Sequence, residues 1–322
     1  MKKINILIII TLLVGTNLYA QTAGNFQVAL TDDLEGVRIV SYSGNVRAVT
    51  IPATFEGLPL REIGNEAFQH KNITSVVIPN GVTSIGNYAF LNCNTLTSVT
   101  LPASLTRIGS GAFSSCSALT TITLPASLTR IGDSAFTGCR ALTTVTIPAN
   151  VTSIGSYAFS DCSALRTINL PANIEYIGSG AFARSGLTTI NWPAKLSVIN
   201  ALTFSGCKNL VTVTIPAGIT IIRSNAFSDC TSLTTINLPA TIELIQAGAF
   251  SNCTALTTVI IPDSVTSIKF EASSSYTFDY EGSVLEDIQM GNPFGNCPRL
   301  NLASQGALRR RGWDPNVEGL FW

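Results

Sequence analysis

Charge is scarce in this chain. Only 12% of its 322 residues are Asp, Glu, Lys or Arg, against about 25% in an average domain. The 19 basic residues balance the 19 acidic ones. A polyanion such as DNA needs a basic stripe, and the one cluster, Arg309-Arg310-Arg311, sits near the end of the sequence, so nucleic-acid binding is not expected. Histidine occurs once, as His70 in a short turn, where it reads as a solvated surface residue. With one histidine and scattered carboxylates, the convergent acid, base and nucleophile groups of an active site cannot be assembled on paper. Metal binding needs two to four convergent ligands and is disfavoured on the same ground. No catalytic residue, metal site or cofactor is therefore assigned. Long apolar runs are also missing: beyond the N-terminus nothing approaches the roughly 18–20 residues of a spanning helix.

The N-terminus does carry a shorter run. Lys2 and Lys3 precede the apolar stretch Ile4 to Val14, and Tyr19-Ala20-Gln21 places a small residue before a polar one. Residues 1–20 read as a secretory signal peptide cut after Ala20, with Leu18 a less usual choice three positions before the cut. The first cysteine is Cys93, so the lipid attachment of a bacterial lipoprotein is not expected. The mature chain is expected outside the cytoplasm, at the cell surface or secreted, with the periplasm as the alternative.

What the sequence has in abundance is itself. Leu101 to Thr123 reads LPASLTRIGSGAFSSCSALTTIT, and the next unit reads LPASLTRIGDSAFTGCRALTTVT. Similar units recur at 22 or 23 residues, anchored by prolines from Pro52 to Pro262 and phenylalanines from Phe68 to Phe250. Such a period specifies a solenoid, whose units bury their apolar sides only against neighbours. Before each proline, alternation such as Thr121-Ile122-Thr123-Leu124 marks a short strand with Ile122 and Leu124 inward, and proline ends it. After the proline, Leu128 and Ile131 turn inward again, and Ser134-Ala135-Phe136 suggests one turn of helix. The isoleucine is followed by glycine at 64, 86, 109, 132, 155 and 178, but by Asn200, Arg223, Gln246 and Lys269 later, so the glycine-only backbone region is not required there.

Flanking segments differ. Residues 21–51 suggest an N-terminal β cap, with strands Phe26–Leu30 and Val37–Tyr42 joined by a polar turn; Asp32, Asp33 and Glu35 fit a solvated turn better than a calcium loop. Repeats run over 52–268. Residues 269–322 are read as an insertion and C-terminal cap, with the Phe, Cys, Leu spacing resuming at Asn292 to Leu300; the insertion at 270–290 is a cap or a binding loop.

The eight cysteines lie in one column, three residues after the repeat phenylalanine. The coils of Phe68 and Phe182 lack one, and there the turn is a residue shorter, as though slot and cysteine vanish together. Buried free thiols are the favoured reading. Disulfides between adjacent coils, about 5 Å apart, are the alternative. Trp192 is expected to fill volume left by the second short turn.

The unit Leu-Pro-x-x-Leu-x-x-Ile-Gly-x-x-Ala-Phe-x-x-Cys-x-x-Leu-x-x-Ile-x resembles the BspA-like leucine-rich repeat of bacterial surface proteins, over about Gly44 to Ala303. The resemblance implies a leucine-rich repeat solenoid of the α/β-type horseshoe class: a parallel sheet of about ten short strands, with turns and single-turn helices on the other side. It also implies a surface-exposed or secreted protein that binds host matrix proteins, host cells or other bacteria, with no catalytic site to transfer. A monomer is expected.

If Ile122 and Leu124 point inward, the residues between them point out. The candidate binding residues are accordingly Thr100, Thr121, Thr123, Thr144, Thr146, Thr167, Asn169, Asn191, Thr212, Thr214, Thr235 and Asn237. A plainer reading is that threonine suits any exposed sheet. Besides protein binding, the uncharged face admits a structural or carbohydrate-associated envelope role, and its Thr-x-Thr pattern admits ice binding, which a curved sheet disfavours.

Overall fold

The computed structural model describes residues 21–260, 262, 267–268 and 293–299. Its rule is that a residue meets its counterpart one coil away, and three tracks of main-chain hydrogen bonds carry that relation along the stack. The proposed leader (1–20) and insertion (270–290) lie outside the described residues.

The first track is the strand before each proline. Three-residue strands such as Ser98–Thr100, Thr144–Thr146 and Thr212–Thr214 pair in parallel with their neighbours. Alternation holds as expected: Val145 is 3% exposed while Thr144 and Thr146 face solvent. The second track follows the proline, where two-residue strands ending in isoleucine, such as Arg107–Ile108 and Arg130–Ile131, also pair in parallel. This second ladder continues through Leu58–Ile63 into Val37–Tyr42, which pairs antiparallel with Phe26–Leu30. In the polar turn between those two strands, Asp33 accepts from the Thr31 hydroxyl and the Glu35 amide, and Asp32 pairs with Arg38 at 3.1 Å.

The third track corrects the expected helices, since no helix occurs among the described residues. Around Phe136, the amides of Ala135, Thr137 and Cys139 close tight turns onto Gly132, Ser134 and Phe136. Those of Ser134, Phe136 and Gly138 instead donate to Ser156, Ala158 and Ser160 on the next coil, at 2.7–2.8 Å. A helix would take every amide back to residue i−4. Here every second amide is committed across coils, and the chain alternates direction by adopting left-handed φ at Ser134 (53°) and Gly138 (71°). On the inside of this arc the phenylalanine rings form one stack from Phe68 to Phe294, with centroids 4.9–6.0 Å apart. Phe250 stacks directly on Phe294 at 5.1 Å, so the repeat does resume after the insertion.

The cysteines line the same interior. Each Sγ donates to the carbonyl of the phenylalanine heading the preceding coil, at 3.0–3.2 Å, and none is paired in a disulfide. Burial pushes the Cys207 thiol up to about 11 and those of Cys93 and Cys297 up to about 12. In the short coil of Phe182 the slot does not vanish: Ser185 occupies it, 3% exposed, with its hydroxyl 3.3 Å from Cys207 Sγ, whereas the coil of Phe68 carries Lys71 there.

The glycine column has a cause that the backbone-region argument did not reach. Gly155 and Gly178 have ordinary φ, yet a Cβ on them would lie 2.5 Å and 2.3 Å from main-chain nitrogens of the previous coil. From Asn200 onward a Cβ is tolerated, and the change coincides with a seam. Between the coils of Phe159 and Phe182 both strand ladders are interrupted, Thr167–Asn169 from Thr189–Asn191 and Tyr176–Ile177 from Val198–Ile199. The expected single sheet of about ten strands is thus several shorter ladders. At the seam the ring spacing is widest, 6.0 Å. The Asn200 side-chain amide donates to the Ile177 carbonyl at 2.7 Å, the role the Gly178 amide plays toward Ile154. Trp192, 6% exposed, packs edge-on to Phe204 and fills the adjoining space, as its size suggests. The arc stays closed across the seam, where Arg184 grips Asp161 through two hydrogen bonds of 2.7 Å.

Three expectations follow from this packing. The folded protein should show no reaction of its eight cysteines with a thiol-specific disulfide reagent at about pH 8, and full reaction in concentrated guanidinium chloride. Stoichiometric labelling of the folded state would contradict the buried, neutral thiols. Gly155→Ala should lower stability by about 1–3 kcal/mol in urea titration through overpacking alone, with no positive φ to blame. In hydrogen exchange, peptides spanning residues 189–200 should exchange faster than the equivalent 212–223 peptides one coil on. Equal protection would mean that the seam costs no local stability.

Candidate interaction surface

The twelve threonines and asparagines singled out above are all exposed, and the fold assembles them on one face. Because adjacent strands pair in register, they form two columns. Thr121, Thr144 and Thr167 follow one another in one column, with Thr189, Thr212, Thr235 and Thr258 continuing it beyond the seam. Thr146 and Asn169, then Asn191, Thr214 and Asn237, make up the parallel column. Between them the buried side chains Val145, Ile168, Ile190, Val213 and Ile236 anchor the strands to the core. No charged residue stands in either column from Ser75 to Ile260. Two apolar residues stand in the second column, Val77 at 41% and Ile260 at 60% exposure, and Ala48–Thr50 pairs beyond Val77.

Threonine plays two different parts here. In the column just outside this face, hydroxyls are consumed internally: Thr97 donates to Thr74 at 2.9 Å and Thr257 to Thr234 at 3.1 Å, each to the carbonyl one coil back. A matching column before the second ladder does the same, with Thr106 donating to Thr83 at 3.1 Å and Thr129 to Thr106 at 3.2 Å. On the strand face, the hydroxyls of Thr100, Thr121, Thr123, Thr144, Thr146, Thr167, Thr212, Thr214 and Thr235 have no such partner among the described residues. They are therefore open to solvent or to a ligand. The distinction was invisible in the sequence, because adjacent threonines in Leu142-Thr143-Thr144 differ only in which way the backbone aims them.

Nothing in the described residues assembles a reactive centre. His70 sits exposed in a turn at φ 58°, its amide donating to Leu91 of the next coil. No group of three or more His, Cys, Asp or Glu residues is arranged to hold a metal among the described residues. No helix there is long and apolar enough to cross a membrane. Sequence reasoning passed over the outer column of the second ladder, in which Arg107 and Arg130 are exposed neighbours. Its signal, the alternation in Leu-Thr-Arg-Ile, is two residues long and too short to read as a strand.

The solved structures that the chain is similar to include bacterial leucine-rich repeat proteins. The chain resembles a leucine-rich repeat protein from T. pallidum at 25% identity, covering 92% of this chain and 97% of that one, with a TM-score of 0.49. A leucine-rich cell surface protein from Faecalibacterium prausnitzii matches at 28% identity over 76% and 95%, with a TM-score of 0.36. The pneumococcal vaccine antigen PcpA, 20% identical over 89% and 81%, superposes with a TM-score of 0.62 and shares the fold. Comparison with curated proteins gives no match. The model of the BspA-type leucine-rich repeat region, in six copies, matches residues 61–187 and 175–300. Because that match spans well over half of its length, the chain belongs to the BspA-type leucine-rich repeat family.

Proposed function

We propose that this protein is exported and acts at the cell surface by binding other proteins through its threonine face, in adhesion to host matrix, host cells or other bacteria. Leucine-rich repeat proteins of this type are interaction scaffolds rather than enzymes, which fits a chain whose chemistry is all on a surface. The observation that carries the reading is the set of nine strand-face threonine hydroxyls without internal partners, next to threonine columns in which most hydroxyls, such as those of Thr97, Thr143 and Thr257, bond to a carbonyl one coil back. A rigid row of donors and acceptors on a well-packed ladder needs little ordering on binding, which lowers the entropic cost of a large polar contact. In this reading residues 1–20 direct export, 21–51 cover the first coil, and 269–322 close the other end.

The face also offers side-chain amides at Asn169, Asn191 and Asn237. These favour a second reading, a non-adhesive envelope component associated with carbohydrate.

Protease treatment of intact cells, compared with lysed cells and culture supernatant, separates the two. Surface adhesion requires digestion on intact cells or release into the medium, and protection until lysis would remove it. For a matrix protein captured by the purified chain, replacing Thr144 and Thr167 with arginine should weaken binding about tenfold or more without lowering the melting temperature, since both side chains are exposed. Unchanged affinity would take the contact away from this face.

A further inference from the structure

The second ladder also has an outer face, and its side chains are not uniform. Reading along the stack, the residue at each rung outside the inner isoleucine is Glu62, Ser84, Arg107, Arg130, Ser153 and Tyr176, then, beyond the seam, Val198, Ile221, Leu244 and a last rung Ser267. The column changes from polar and cationic to apolar in mid-molecule. Arg107 and Arg130 are exposed and stand directly opposite each other in register. Like charges so placed repel. Neither of these guanidinium groups takes part in the ion pairs of Arg38 with Asp32 and Arg184 with Asp161. Beside them a cleft of about 350 Å³ opens, lined in part by Arg38, Glu62, Ser84 and Arg107. At the other end Tyr176 is 50% exposed, and Val198, Ile221 and Leu244 are only partly covered.

We propose that this face is a second docking surface, distinct from the threonine face, for an extended segment of a partner polypeptide with carboxylates at one end and apolar side chains along the rest. Both halves of the column enter the argument. Paired guanidinium groups recognise carboxylates through forked hydrogen bonds and offset their own repulsion in doing so. The apolar rungs then require a ligand with apolar side chains. An anionic polysaccharide meets the first demand and not the second, and an anionic membrane surface asks for more cations and a broader apolar area. From Arg107 to Leu244 is six steps over seven rungs, one of them the seam between Tyr176 and Val198, so the column is roughly 29 Å long or slightly more, which an extended segment of about nine residues covers. Its alternate side chains would fall on the face.

A display library of random peptides of about twelve residues, panned against the full chain at low salt, tests this directly. Enriched sequences should place Asp or Glu at one end of a run with alternating Val, Ile, Leu or Phe. A synthetic peptide from that set should lose at least about tenfold in affinity to the Arg107→Glu/Arg130→Glu double variant, and also to Ile221→Ser, and should weaken as salt rises. Both variants change exposed or half-exposed side chains, and their melting curves serve as the check on folding. Should the charge reversal not fold, Arg107→Gln/Arg130→Gln carries the same expectation. Failure to enrich any sequence, enrichment of sequences without acids, or affinity indifferent to the arginines would overturn the proposal. Concentration-dependent dimerisation abolished by the arginine variants would assign the face to a second copy of the chain and overturn it equally.

Discussion

The structure depends on how closely one coil can approach the next along the phenylalanine arc. There the amide of each repeat phenylalanine donates to a carbonyl on the following coil, at 2.6–3.0 Å from Phe68 to Phe250. This single relation decides much else. It forbids a helix, since the amides it uses are those an i−4 ladder would need. It requires left-handed residues two positions either side of the ring, which is why Tyr88, Asn92, Tyr157 and Asp161 carry positive φ without being glycine. It also sets the rings in a continuous stack, so the apolar burial of one coil is completed only by its neighbours.

Chemical details fall into place around that spacing. The thiol column is a hydrogen-bonding device as much as a filler: each Sγ donates to a buried phenylalanine carbonyl that already accepts the amide three residues on, and so uses that oxygen's second lone pair. Glycine after the isoleucine lets main chains pass within van der Waals limits, and where the ladders separate at the seam, asparagine takes over with a side-chain donor. Tyr157 lies over Gly180 and Tyr88 over Gly111, so a large side chain on one coil is matched by none on the next. Such pairings operate between residues a full repeat apart.

The proposed functions rest on two outward faces with different chemistry. The strand face is uncharged, carries nine threonine hydroxyls without internal partners from Thr100 to Thr235, and suits a broad polar contact. The second ladder presents arginines that then give way to apolar side chains, and suits a narrower, linear ligand. Both faces rest on the same buried columns, so exposed substitutions on either should leave the core undisturbed.

Much of the first face was legible in the residues themselves. Strict alternation around Ile122, Val145 and Ile168 aims the flanking threonines outward whatever the larger shape, and all twelve are exposed. The phenylalanine and cysteine columns announced their burial by recurring at the repeat period. The turns in place of helices, the division of the sheet at Phe159 and Phe182, the second ladder and the separation of bonded from open threonines were settled by tertiary structure. The physical reason is common to all four. Local pattern tells a side chain whether to face the core, but it does not say where a main-chain amide or a hydroxyl finds its partner. In this protein that partner sits 20 or more residues away on the neighbouring coil, so it exists only once the coils are stacked.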